Sequence, residues 1–206
     1  MKIYPTKQHE RAANKIVEIF RKDKRVMSIL LTCSCARGKA NKDSCLDMDI
    51  IIKNIKIKNQ IRKKFERTYR QVKEFKELRR IGKYSHVDLD VIDGEIKLGK
   101  RDWTSGPDMY EVEIGNIYKY SILLFDRNNY FKKLRKKYLP YYNEKLRKKR
   151  LKETKKFCLN NLEHIPLYVK RKLYFQAFDR LYKASQEFMQ ALFIKKRIYP
   201  IAYDKW

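Results

Sequence analysis

No stretch of this sequence approaches the roughly 18 to 20 uncharged apolar residues that a bilayer crossing needs, so a membrane-spanning helix is not expected. The first residues, MKIYPTKQHERAANK, lack the apolar centre of a secretory signal, which points to an intracellular, cytoplasmic protein. Cysteine is sparse: Cys33, Cys35, Cys45 and Cys158 form no Cys-x-x-Cys pair, and His9, His86 and His164 are the only histidines. Structural zinc sites show two closely spaced ligand pairs, so reduced, packed thiols are expected instead. No Gly/Ser-rich linker and no internal repeat breaks the chain. Acidic residues are also scarce, 24 against 51 Lys plus Arg.

What is present argues for a folded protein. The 206 residues are 43% hydrophobic and 13% aromatic, enough for one good core or two small ones. The net charge of +27 attracts polyanions, which points to nucleic acid or a nucleotide. A lysine-rich, thermophile-like composition would give the same charge on solvated faces, so charge alone names no partner.

Apolar spacing from Thr6 to Asp23 predicts a helix, and Val26–Thr32 and Met48–Ile52 read as buried strands. Between them Ser34–Leu46 reads as a loop or short helix against the sheet. Ile61, Phe65, Tyr69, Val72 and Phe75 predict one long basic amphipathic helix from Ile57 to Leu78, closed by Gly82. In "SHVDLDVIDGEIKLG", Val87, Leu89 and Val91 alternate with Asp88 and Asp90 as in a strand. Asp93-Gly94 is expected to turn a hairpin, with Glu95–Leu98 returning. "MYEVEIGNIYKYSILLF" is expected to begin as a strand, and helical spacing dominates after Asp126. The expected architecture is α+β, with a mixed-sheet domain at 1–125 and a helical bundle at 126–206. Phe175, Phe178, Tyr182 and Phe188 fall at helical spacing and are expected to be core residues.

Asp47 and Asp49 lie two apart on a strand, so they share a face. Paired carboxylates repel unless a cation lies between them, and hard oxygen ligands suit Mg²⁺. Asp88 and Asp90 repeat the pattern. If the two strands are neighbours, the carboxylates converge as a two-metal phosphoryl-transfer site requires. Ser34, Arg37 and Lys39, with Gly38 freeing the backbone, offer contacts for a triphosphate tail.

"CSCARGKANKDSCLDMDI" resembles the signature of the polymerase-β-like nucleotidyltransferases: Gly-Ser at a strand end, a polar loop, then Asp-x-Asp. Cys33 stands where that family has glycine. Small prokaryotic members carry a C-terminal helical domain of the aminoglycoside-nucleotidyltransferase or HEPN kind, and the layout here is similar. The resemblance implies a Mg²⁺-dependent nucleotidyltransferase using a nucleoside triphosphate, ATP first among them, with a small molecule, RNA end or protein as acceptor. It implies metal binding by Asp47, Asp49 and either Asp88 or Asp90, and phosphate contacts from Ser34, Arg37 and Lys39. Glu111 or Glu113 would be an acceptor-side base. Two rivals share the fold: a non-catalytic nucleic-acid-binding protein, and an antitoxin-like module that docks a protein partner and shows an apolar patch on its helical half.

Overall fold

The computed structural model describes residues 3–205. In chain order its elements are α1 (Lys7–Phe20), β1 (Val26–Leu31), α2 (Cys33–Ala36), β2 (Leu46–Ile52), α3 (Lys58–Gln71), α4 (Lys73–Arg79) and β3 (Val87–Ile92). There follow α5 (Tyr110–Ile114), β4 (Ile122–Asp126), α6 (Tyr130–Tyr138), α7 (Glu144–Lys170) and α8 (Tyr174–Lys196). The fold is α+β. By packing, the described residues form two units: 3–95 with 116–137, and 96–115 with 138–205.

In the first unit a mixed four-stranded sheet runs in the order β3-β2-β1-β4. β1 is antiparallel to β2 and β4, whereas β2 and β3 run parallel. Alternation sorts the side chains by face. Leu46, Met48, Ile50 and Ile52 of β2, with Val87, Leu89 and Val91 of β3, join Ile29 and Leu31 of β1. This face is sealed by Ala12, Ala13, Ile16 and Phe20 of α1, Ile61 of α3, and Phe75 and Leu78 of α4. Thr6 caps α1 by accepting from the His9 amide.

The expected single helix over 57–78 is two helices, broken at Val72, whose extended backbone (φ −71°, ψ 128°) ends α3. That break lets Phe75 turn into the core beside Tyr69, ring centroids 5.8 Å apart. The expected return strand after Asp93-Gly94 does not form. Gly94 takes a left-handed φ of +74°, and the Tyr118 hydroxyl donates to its carbonyl, which takes up an acceptor that a return strand would need. Asp126 ends β4 and holds the first turn of α6: its carboxylate accepts from the amides of Phe131 (2.8 Å) and Lys132 (3.3 Å), and from the buried Ser28 hydroxyl (2.9 Å).

The second unit is organised around polar groups. The segment from Tyr110, expected to begin as a strand, is helix α5: Glu111, Val112 and Ile114 are buried while Glu113 is exposed, a helical pattern that the Tyr-Glu-Val-Glu-Ile alternation masks. α7 and α8 pack as a hairpin through a turn at Lys172 (φ +58°). Their contact faces carry Arg150, Thr154 and Asn161 from α7, and Arg180, Glu187 and Gln190 from α8, all buried. Arg150 binds both oxygens of Glu111 (2.6 and 2.7 Å) and Asp108 (2.7 Å). Arg101 binds Glu187 (2.7 Å), which also accepts from Asn161 (2.9 Å). With their polar partners these charges can stay buried. The consequence for α8 reverses an expectation: Phe175, Phe178, Tyr182 and Phe188 are exposed, not core, because the inward face is taken by Ala177, Arg180, Ala184 and Glu187.

Candidate functional site

The face of the sheet opposite α1, α3 and α4 carries the carboxylates. Leu46, Met48 and Ile50 point into the core, so Asp47 and Asp49 must point away from it. The parallel register sets Asp47 beside Asp88 and Asp49 beside Asp90. All four therefore share one face, on neighbouring strands about 5 Å apart. Asp47 and Asp49 are partly buried, while Asp88 and Asp90, on the sheet's edge strand, are exposed. Further along this face the chain closes over: Ile51 is buried, and Tyr118 stacks on Phe131 (centroids 5.5 Å apart) near Gly94.

The electrostatics are those of an acidic cluster without an ion-paired cation. Among the described residues, none of the four aspartates pairs with a Lys, Arg or His. Burial, reinforced by repulsion from Asp90, Asp47 and Asp88, pushes the Asp49 carboxyl up to about 7. Asp47 is raised by burial and by Asp88, against lowering by a hydrogen bond from the Cys45 thiol (3.2 and 3.3 Å to its two oxygens) and by His86. The surrounding thiols are held protonated: burial and Asp47 push Cys45 up to about 12, and desolvation by neighbouring groups with the Asp47 charge raises Cys33, an exposed residue, to about 11. Cys45 thus acts as a donor to Asp47. Sequence reasoning passed over it, although its position two residues before Asp47 puts it in the same period-2 row.

Carboxylate oxygens are the type of donor that a hard divalent cation takes. Among the described residues no group of three or more His, Cys, Asp or Glu is placed to hold a metal ion. Mg²⁺ needs none, being held commonly by one or two carboxylates with water and substrate phosphates.

The preceding loop is fixed to this strand. The Thr32 amide donates to the Asp47 carbonyl (3.0 Å), so α2 begins beside the first aspartate. Cys33, standing where the resembled motif has glycine, takes a left-handed φ of +53°. The turn is thus glycine-like without the glycine. Ser34, the second residue of α2, is half-buried, and its carbonyl accepts from the Lys39 amide (2.9 Å). The Arg37 guanidinium turns back onto the Cys33 carbonyl (3.1 Å), and Lys39 is exposed. The loop's far end is tied down by the Ser85 hydroxyl on the Lys42 carbonyl and by Gly82, where a Cβ would lie 2.5 Å from Asp43 Oδ1.

The two glutamates flagged as acceptor-side bases belong to the other unit. Glu111 is fully buried and committed to Arg150, Tyr142 (2.6 Å), Gln190 (3.0 Å) and Tyr203 (3.1 Å), so it is a structural anion and no free base. Glu113 is exposed. His86 is exposed at the approach to β3, its carbonyl accepting from the Leu46 amide (2.8 Å). Among the described residues no helix is long and apolar enough to cross a membrane.

No protein-family model and no curated protein matches the chain. Among solved structures it is similar to a nucleotidyltransferase-like protein from Exiguobacterium sibiricum 255-15, with a TM-score of 0.44 at 13% identity. The similarity covers 93% of this chain and 59% of that one, so this chain spans under two thirds of its length. A likeness at that level carries no chemistry, and the functional reading rests on the residues.

Proposed function

We propose that the protein is a Mg²⁺-dependent nucleotidyltransferase that moves a nucleoside monophosphate from a nucleoside triphosphate, ATP first among them, to an acceptor. The observation that carries this reading is the in-register set Asp47/Asp88 and Asp49/Asp90 on one sheet face with no cation paired to it. Asp47 and Asp49 hold Mg²⁺, with Asp88 or Asp90 completing the set. The bound ion supplies charge neutralisation to the triphosphate and to the departing pyrophosphate. Ser34, Arg37 and Lys39 receive the β and γ phosphates. The acceptor oxygen attacks the α-phosphorus in line, its proton passing to a carboxylate oxygen of Asp88 or Asp90. The bond from the α-phosphorus to the bridging oxygen breaks, and pyrophosphate leaves.

Binding is the first test. ATP with Mg²⁺ raises the wild-type melting temperature, and the Asp47→Asn, Asp49→Asn double variant shows no rise. An equal rise in both proteins would remove the aspartates from the site. The partner-docking reading is favoured by one observation: the outer face of α8 is apolar and exposed.

A further inference from the structure

Within the second unit a cavity of about 360 Å³ opens between α7 and the segment from Leu98 to Asp108. That volume is at the small end of the range for organic ligands, room for one flat ring system. Part of its wall is aromatic: Trp103 and Phe157 lie with ring centroids 5.1 Å apart, tilted by 50°. Trp103 is 47% exposed, yet its segment is tied down. Its carbonyl accepts from Arg180 (2.6 Å), and Arg101 Nε donates to the Gly106 carbonyl (3.2 Å). A half-exposed indole on a fixed segment offers its π-face to a flat ligand.

The same cavity is basic. Steps of four, three and four residues set Lys145, Lys149, Lys152 and Lys156 in one row along α7, all exposed. Lys149 and Lys156 line the cavity, and the Lys156 ammonium lies 4.8 Å from the Trp103 ring centre. Arg150, also in the wall, has a side chain only 5% exposed. Its Nε and Nη2 bind Glu111 and Asp108, while Nη1 donates to no described residue and is left for a ligand. The carboxylates nearby are engaged: Asp108 by Arg150, Glu187 by Arg101, and Glu153 by Lys149 at 3.8 Å. With Glu111 they number four, against six cations in Arg101, Arg150 and the lysine row, so two positive charges stay uncompensated.

A basic composition accounts for lysines on a solvated helix, but not for an aromatic cavity beside them. The two features together match single-stranded nucleic acid, which presents flat bases to stack and a phosphate at every step. At 1.5 Å per residue the row from Lys145 to Lys156 runs about 16 Å, longer than one nucleotide, so a strand fills it and a free nucleotide does not. A duplex keeps its bases stacked on one another and has no face free for Trp103.

We infer that the second unit binds single-stranded nucleic acid, one base stacking on Trp103 and Phe157 while the phosphates follow the row Lys145, Lys149, Lys152 and Lys156. The inference does not rest on the aspartate face, so binding is read without nucleoside triphosphate or Mg²⁺. Fluorescence anisotropy of short labelled RNA and DNA oligonucleotides, single-stranded and duplex, is followed against the full chain at several salt concentrations. Circular dichroism and melting temperature check folding; every substituted residue is exposed. Wild type is expected to bind single strands at least about 10-fold tighter than duplexes. Trp103→Ala weakens single-strand binding about 10-fold with the salt dependence unchanged, whereas Trp103→Phe keeps a ring and most of the affinity. Changing the four lysines together to Gln lowers the slope of log K against log salt by about 3, at about 0.7 per phosphate contact. Failure to bind single strands would overturn the inference, as would duplex binding of equal strength. So would a Trp103→Ala or four-lysine variant that matches wild type in both affinity and slope. Displacement of the strand by polyglutamate as readily as by unlabelled strand would also overturn it, and would assign the row to an acidic protein.

Discussion

Replacing Asp49 by Asn is expected to stabilise the protein, and the gain should grow with pH. Asp49 sits partly buried beside Asp90, Asp47 and Asp88, and its carboxyl is raised to about 7 from an ordinary value near 3.8. Between those values the folded state binds a proton that the unfolded chain has released, so stability falls as pH rises. The contribution is fully present below about pH 4 and lost once the pH has passed through 7. A displacement of that size corresponds to about 4 kcal/mol as an upper figure. Urea unfolding of wild type and Asp49→Asn from pH 4.5 to 8.5 reads it directly. The other carboxylates titrate in both proteins, so the difference between the two curves isolates Asp49. The variant's advantage should be small at pH 4.5 and reach about 3 kcal/mol by pH 8. Millimolar Mg²⁺ at pH 8 should restore part of the wild-type deficit and none of the variant's, since an ion bound only by the folded state stabilises it. Parallel pH curves for the two proteins would refute the reasoning, because Asp49 would then be an ordinary solvated carboxylate.

Two further substitutions test the framework around the site. Cys33→Gly should raise stability by up to about 1 kcal/mol by relieving a left-handed backbone, while the β-branched Cys33→Val lowers it; unfolding midpoints with unchanged m values check both. Glu111→Gln should cost about 1.5 to 3 kcal/mol by weakening the charged hydrogen bonds to buried Arg150, which keeps Asp108 as a charge partner; thermal unfolding would show it, and a variant as stable as wild type would contradict the buried pair.

The carboxylate face was legible because it depends on local alternation. Val87, Leu89 and Val91 against Asp88 and Asp90 can only be a strand with one greased and one acidic side, and Asp47-Met48-Asp49 repeats that pattern. That these strands are parallel neighbours in matching register is a long-range fact, set by the crossover through α3 and α4, which local spacing could not supply. Where period-2 spacing coincided with a helix, as at 110–114, the reading went astray, because only the Arg150 partner 39 residues away shows that Glu111 faces inward. The same long-range ion pairs invert α8. Apolar residues normally mark the inward face, but Arg101 and Asn161 bind Glu187 and Asn161 binds Arg180, which turns the aromatic row outward. Cys33 could be identified as a departure from the resembling motif, and only the backbone shows that it keeps the glycine-like turn.

The most direct test of nucleotidyl transfer follows the α-phosphate. Each of the four nucleoside triphosphates, labelled at that position, is incubated with Mg²⁺, a cell extract as acceptor source, and either wild type or an Asp47→Ala, Asp49→Ala variant. The account predicts label passing to an acceptor, with pyrophosphate released, in the wild-type reaction alone. Absence of transfer from all four nucleotides, or equal transfer by the variant, would contradict it.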